Sequence, residues 1–215
     1  DRPESEQSVI IAGYLIEPYG KLPEVARQAF VNVFGGDFVS RINMNLREDK
    51  HWSYGAGTFL PGAKGQRPFI AYAPVQTDKS KESMEELSKE FKAIVGDKPV
   101  TQEEFDRNKN NTIMGLPGQY ETNGAVLSSL TTMSKYNLPD DYFKTYDSKV
   151  RALTLDDVRK VGKQVVDPGK LNWFAVGDKD KILNDLKKLG FDEIILIDAD
   201  GNPLQPTETQ IKKKN

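Results

Sequence analysis

The chain has 215 residues, enough to bury roughly 70% of the surface its unfolded form exposes, so its core needs no disulfide or metal staple. It carries 30 basic and 32 acidic side chains for a net charge of -2, which argues against the basic surplus of a nucleic-acid-binding protein. Cysteine is absent and histidine occurs once, at His51, so disulfides, thiolate metal sites and a cysteine nucleophile are excluded, and a zinc site would have one imidazole at most.

No leader-like segment opens the chain, and Asp1 is not a natural start, so the sequence reads as a processed product or an excised piece. No run of 18 apolar residues is present, so no spanning helix is expected. Residues 8–16 (SVIIAGYLI) are apolar and β-branched and predict a buried strand, broken by Pro18 and Gly20. Pro23 suits a first helical turn. Val25, Ala26, Ala29, Phe30, Val33 and Phe34 follow at helical spacing, and Gly35-Gly36 supplies a cap. Phe38, Ile42 and Leu46 recur every four residues and predict a second helix over 38–49. Residues 52–60 read as a strand and 69–75 as its hairpin partner across the 61–68 loop.

Met84, Leu87, Phe91, Ile94 and Val95 form a helical stripe ending at Gly96. Thr101 and Glu104 have capping-box spacing, and the helix they start is stopped by Gly115-Leu116-Pro117-Gly118. Val126, Leu127, Leu130 and Met133 mark another helix. Thr154 with Asp157 begins one through Val165. Residues 171–176 and 193–198 read as strands, flanking a helix over 179–189 closed by Gly190. Strands, then a block of helices, then strands again indicate an α+β fold with a mainly antiparallel sheet and helices on one face. The last two strands are expected to rejoin the first sheet, because two strands alone are marginal. Residues 1–204 therefore read as one domain. Residues 205–215, with Lys212-Lys213-Lys214, read as a polar tail.

The ordered set SVIIAGYLIEPYG, a helix ending in FGG, FVSRINMNLRE, WSYGAG, LTLDDVRKVGKQVVDPGKLNWFAVGD and FDEIILIDADGNPL resembles the insulinase/pitrilysin family of zinc peptidases. The resemblance covers most of the chain and implies the fold of a pitrilysin or mitochondrial processing peptidase subdomain. Catalytic halves of that family carry H-x-x-E-H on a helix. One histidine cannot match it, so the chain resembles the family's non-catalytic, "inactive" domain. The resemblance implies a zinc-bearing catalytic domain facing this one, in the same polypeptide or as a separate subunit, with zinc held there and none here. It also implies that Asp1-Arg2-Pro3 ends a strand whose earlier residues lie upstream, leaving a sheet position to be filled. Bacterial relatives of this kind are often exported, which points to the periplasm.

In the family an arginine and a tyrosine seven residues apart grip the substrate backbone opposite the zinc. Arg47 and Tyr54 stand at that spacing. An arginine fork suits backbone carbonyls, and a tyrosine hydroxyl is a fitting donor to the oxyanion of peptide hydrolysis. Read without the family, the same two residues are a surface ion-pair partner and a half-buried strand aromatic. Arg41 matches a frequent family arginine with a structural pairing role. His51 reads as a structural or surface histidine. Asn110-Asn111-Thr112 matches a glycosylation sequon but falls inside a helix. Glu103, Glu104 and Asp106 stand where a helix dipole favours acids. Two functions follow: the substrate-holding half of a zinc metallopeptidase, with a peptide substrate and no activity alone, or a structural member that keeps the fold without the chemistry.

Overall fold

The computed structural model describes residues 1–204. The expected polar tail lies outside the described residues. Strand β1 (Gln7–Ile16) alternates strictly enough to bury Ser8, Ile10 and Ala12 on one face. Helix α1 (Glu24–Val31) follows, then α2 (Arg41–Asn43), β2 (Gly57–Phe59) and β3 (Arg67–Gln76). Beyond them lie α3 (Ser80–Val95), α4 (Gln102–Gly115), α5 (Asn123–Tyr136), α6 (Tyr146–Ala152) and α7 (Leu155–Val165). Strand β4 (Asn172–Val176) and α8 (Lys179–Leu186) close the ordered elements.

The four strands form one sheet in the order β2-β3-β1-β4, and every pairing is antiparallel, with Ala12 opposite Ala71 and Ile10 opposite Ala73. Alanines at the sheet centre leave room for large rings from the helices. Phe34 meets Phe91 edge-on at 5.0 Å, and Phe69 meets Phe91 at 6.0 Å. Both expected capping pairs are formed: Thr101 with Glu104 starts α4, and Thr154 with Asp157 starts α7.

The other face of the sheet is also apolar. Leu15, Tyr72, Phe174 and Val176 stand exposed there, with Val9, Ile11 and Ile70 half-buried between them. An antiparallel sheet open to water on one face ordinarily alternates to polar residues there.

Four expectations need correction. Residues 193–198 do not join the sheet. They fold back on themselves, with a single bridge from Ile197 to Pro203, because the Asp198 carboxylate accepts the Asp200 and Asn202 amides and closes a local turn. The strand read over 52–60 is ordered only over Gly57–Phe59. Before it, Ser53 makes one bridge to Val75 and the backbone then leaves the ladder. Phe38 is not a core residue. Ser40 is extended, the helix starts at Arg41, and Phe38 falls outside it at 60% exposure. Finally, α5 forms but buries none of its residues, so its apolar stripe faces outward.

Candidate functional site

Two wide turns shape the region around Arg47. After α1 the chain widens over Asn32–Gly36, where the Asp37 amide donates to the Asn32 carbonyl five residues back. After α2 it widens again over Met44–Asp49, with the Lys50 amide reaching the Asn45 carbonyl. Such turns are rare and collect at functional sites. Arg47 lies in the second.

The segment from Arg47 to Gly57 is held at several points. His51 takes the left-handed conformation (φ 58°) that ends the helical run, and its Nδ1 lies 3.1 Å from the Arg47 carbonyl oxygen. His51 thus ends the helical run, a role the sequence did not specify beyond a structural or surface histidine. The Trp52 amide donates back to the Leu46 carbonyl, and the Trp52 carbonyl accepts from the Gln76 amide. Ser53 Oγ donates to the Pro74 carbonyl at 2.6 Å and accepts the Gly55 amide. Asn43 finishes the clamp: its Oδ1 accepts the Ala56 amide at 3.0 Å, and its Nδ2 donates to the Phe38 carbonyl. Tyr54 therefore projects from a pinned backbone while being 86% exposed.

An open groove of about 450 Å³ runs beside this segment, with Arg47 and Phe38 on one wall and Gly57, Phe59 and Tyr72 on the other. The backbones of its floor come unusually close. A Cβ on Gly57 would stand 2.2 Å from the Gly35 carbonyl oxygen, and one on Gly35 would stand 2.3 Å from the Thr58 nitrogen. Only glycine fits at either position, which explains the glycines on both sides of α2.

The Arg47 guanidinium lies over the Phe38 ring at 4.4 Å and pairs with Glu48 at 3.3 Å. Tyr54 does not line the groove, although its neighbours Gly55 and Ala56 do. Arg47 lines the groove and Tyr54 stands outside it. Each faces solvent, and Arg47 engages Phe38 and Glu48. Sequence reasoning missed Phe38 as the platform of Arg47. Its only signal was an aromatic placed just ahead of the helix rather than within it.

Arg41 behaves as expected of a structural residue. Its guanidinium forks onto Glu104 at 2.5 and 2.6 Å and donates to the carbonyls of Lys98 and Pro99. Burial pushes the Glu104 carboxyl up, but the Arg41 and Thr101 bonds outweigh it and hold it below the usual carboxylate range. Glu104 thereby ties the start of α4 to α2.

No three His, Asp or Glu side chains converge as metal ligands among the described residues, and the chain's one histidine is a cap. The donor set of a catalytic zinc does not fit here.

The profile of the peptidase M16 inactive domain matches residues 1–112, just over half of the sequence. The chain belongs to the peptidase M16 inactive-domain family. Solved structures carry the same fold. The peptidase M16 inactive domain from Pseudomonas fluorescens aligns with a TM-score of 0.73 at 20% identity, over 80% of this chain and 41% of that one. A protease from Helicobacter pylori aligns with a TM-score of 0.65 at 17% identity, over 80% of this chain and 41% of that one. The periplasmic protease PqqL from Escherichia coli aligns with a TM-score of 0.66 at 13% identity, over 80% and 19%. The family member described here thus spans about two-fifths or less of these chains. No curated protein matches it. No described helix is long and apolar enough to cross a membrane.

Proposed function

We propose that this inactive domain is the substrate-holding half of a zinc metallopeptidase. Arg47 donates to backbone carbonyls of an extended peptide, and the Tyr54 hydroxyl donates to the scissile carbonyl oxygen as negative charge develops on it. The catalytic domain, fused or separate, supplies the zinc and the activated water. The observation that carries the reading is the pinned segment from His51 to Ala56, which spends several hydrogen bonds to display an almost fully exposed tyrosine, seven residues after an arginine stacked on Phe38. A tyrosine with only a packing role would be covered. The apolar outer face of the sheet supports a companion domain, since a face of that composition is ordinarily covered. An exported location accords with the bacterial resemblance.

The test uses the complete enzyme and an unfolded peptide substrate. Tyr54→Phe keeps the ring and removes one oxyanion donor, so kcat falls by about 10²–10³ while the melting temperature holds. Arg47→Ala lowers kcat and also raises KM, because ground-state grip is lost as well. An unchanged kcat in Tyr54→Phe makes the pair structural and favours the reading in which the domain only supports assembly.

A further inference from the structure

One buried amide touches both sides of the site. Asn43 closes α2, one helical turn before Arg47, and is 5% exposed. Its Nδ2 donates to the Phe38 carbonyl at 2.6 Å, and its Oδ1 accepts the Ala56 amide at 3.0 Å. Phe38 carries the ring on which the Arg47 guanidinium lies. Ala56 follows Tyr54 by two residues on the pinned segment. The side chain is held in one sense, because a carbonyl can only accept and a backbone N–H can only donate. Neither near-isostere makes both bonds. Leucine makes none, and an ionised aspartate accepts from Ala56 but sets a second acceptor against the Phe38 carbonyl.

We propose that Asn43 is a positioning residue for both Arg47 and Tyr54, an inference that rests on the substrate-holding reading of that pair. Its amide is engaged by backbone at both ends, so it acts through the two segments it joins. The Nδ2 arm fixes the backbone of Phe38, and with it the platform of Arg47. The Oδ1 arm fixes the backbone just beyond Tyr54, and with it the point from which the hydroxyl reaches the oxyanion. Ser53 ties the same segment to β3 through the Pro74 carbonyl, whereas Asn43 ties it to α2. Small displacements are costly in such a site, since a misplacement of about 1 Å can lower a rate about 10²-fold. The two arms serve different steps. Loss of the Phe38 arm weakens ground-state grip, and loss of the Ala56 arm weakens oxyanion stabilisation.

The experiment is a pair of double-mutant cycles on the complete enzyme, assayed at about pH 8, well above the ordinary carboxylate range, with kcat and KM measured separately. Asn43→Leu lowers kcat by about 10² and raises KM. In a Tyr54→Phe background the same substitution lowers kcat by less than about tenfold, because the group it positions is already gone. In an Arg47→Ala background most of its effect on KM disappears for the same reason. Independent sites would instead multiply in full, to within about twofold. Asn43→Asp is the companion variant should Asn43→Leu fail to fold. It keeps the Ala56 arm, so it raises KM more than it lowers kcat, and the KM effect again disappears in the Arg47→Ala background. An asparagine with only a structural role lowers the amount of folded enzyme, and so the apparent kcat, at an unchanged KM. Full multiplication in both backgrounds, or an unchanged KM in the Asn43 variants, overturns the proposal and leaves the substrate-holding reading standing on its own two variants. If Tyr54→Phe and Arg47→Ala are themselves without effect, that reading fails and this inference falls with it.

Discussion

The carboxylate of Glu24 holds two buried arginines at once, and removing its charge should cost more than any other single polar substitution in the chain. Glu24 Oε1 accepts Arg67 Nη2 at 2.7 Å and the Gly20 amide at 2.9 Å. Its Oε2 accepts Arg27 Nε at 2.6 Å and Arg67 Nη1 at 3.2 Å. The Arg67 side chain is fully buried and that of Arg27 is 6% exposed. With Glu24→Gln both guanidiniums lose their counter-charge and neither can reach water. Breaking a buried pair in this way costs about 3–5 kcal/mol, against about 0–1 kcal/mol for a surface pair. Urea denaturation followed by circular dichroism measures the difference directly. The same carboxylate shapes the acid limb of stability. Burial pushes its pKa up, but the Arg67 bond, the Arg27 charge and the Gly20 amide outweigh that and set it below the usual value. A folded pKa below the unfolded one gives stability that is present above the unfolded carboxylate range and lost as the pH falls through the folded value. The variant lacks that part of the acid limb. A loss below about 1 kcal/mol, with an acid limb identical to the wild type, would refute the reasoning.

Tyr14 offers a second buried polar test: its hydroxyl donates to the Val165 carbonyl at 2.5 Å and accepts the Asp167 amide at 2.6 Å, so Tyr14→Phe costs about 1–3 kcal/mol by urea denaturation. Burial pushes this phenol from 10.0 up to about 12, so its contribution holds below pH 10 and is lost as the pH rises from there to about 12, a loss that Tyr14→Phe does not show. Gly57→Ala drives a methyl into the Gly35 carbonyl and destabilises by about 1–3 kcal/mol, a value that a thermal melt below the wild type reports and an unchanged melt refutes. This chain by itself takes up no stoichiometric zinc and cleaves no peptide, and one chelator-removable zinc per chain by metal analysis would overturn that.

Much of the fold was legible because its signals are local. Thr101 and Thr154 each stand three residues before an acid, and each capping box forms within one turn. Ile10, Ala12, Phe69, Ala71 and Ala73 alternate with period two, and that alternation alone assigns them to one face of paired strands. The single histidine and absent cysteine by themselves limit metal chemistry. The Arg47–Tyr54 spacing was visible too, though it acquires meaning only beside the family's segment order.

What the tertiary structure decided is the set of features that depend on a partner distant in sequence. EIILID has the composition of a strand, but whether it pairs with β4 or with its own continuation depends on the competing Asp198 turn, and local closure won. Phe38 keeps the four-residue spacing of a helix, yet the extended backbone at Ser40 turned it into the platform of Arg47. Arg67 reads as a loop cation beside a proline, and it is fully buried only because Glu24, 43 residues away, meets it. Periodicity and capping follow from the geometry of one turn or one strand, so a sequence determines them by itself. Burial of a charge and the choice between two pairing partners are contests between distant groups, and only the assembled chain settles them.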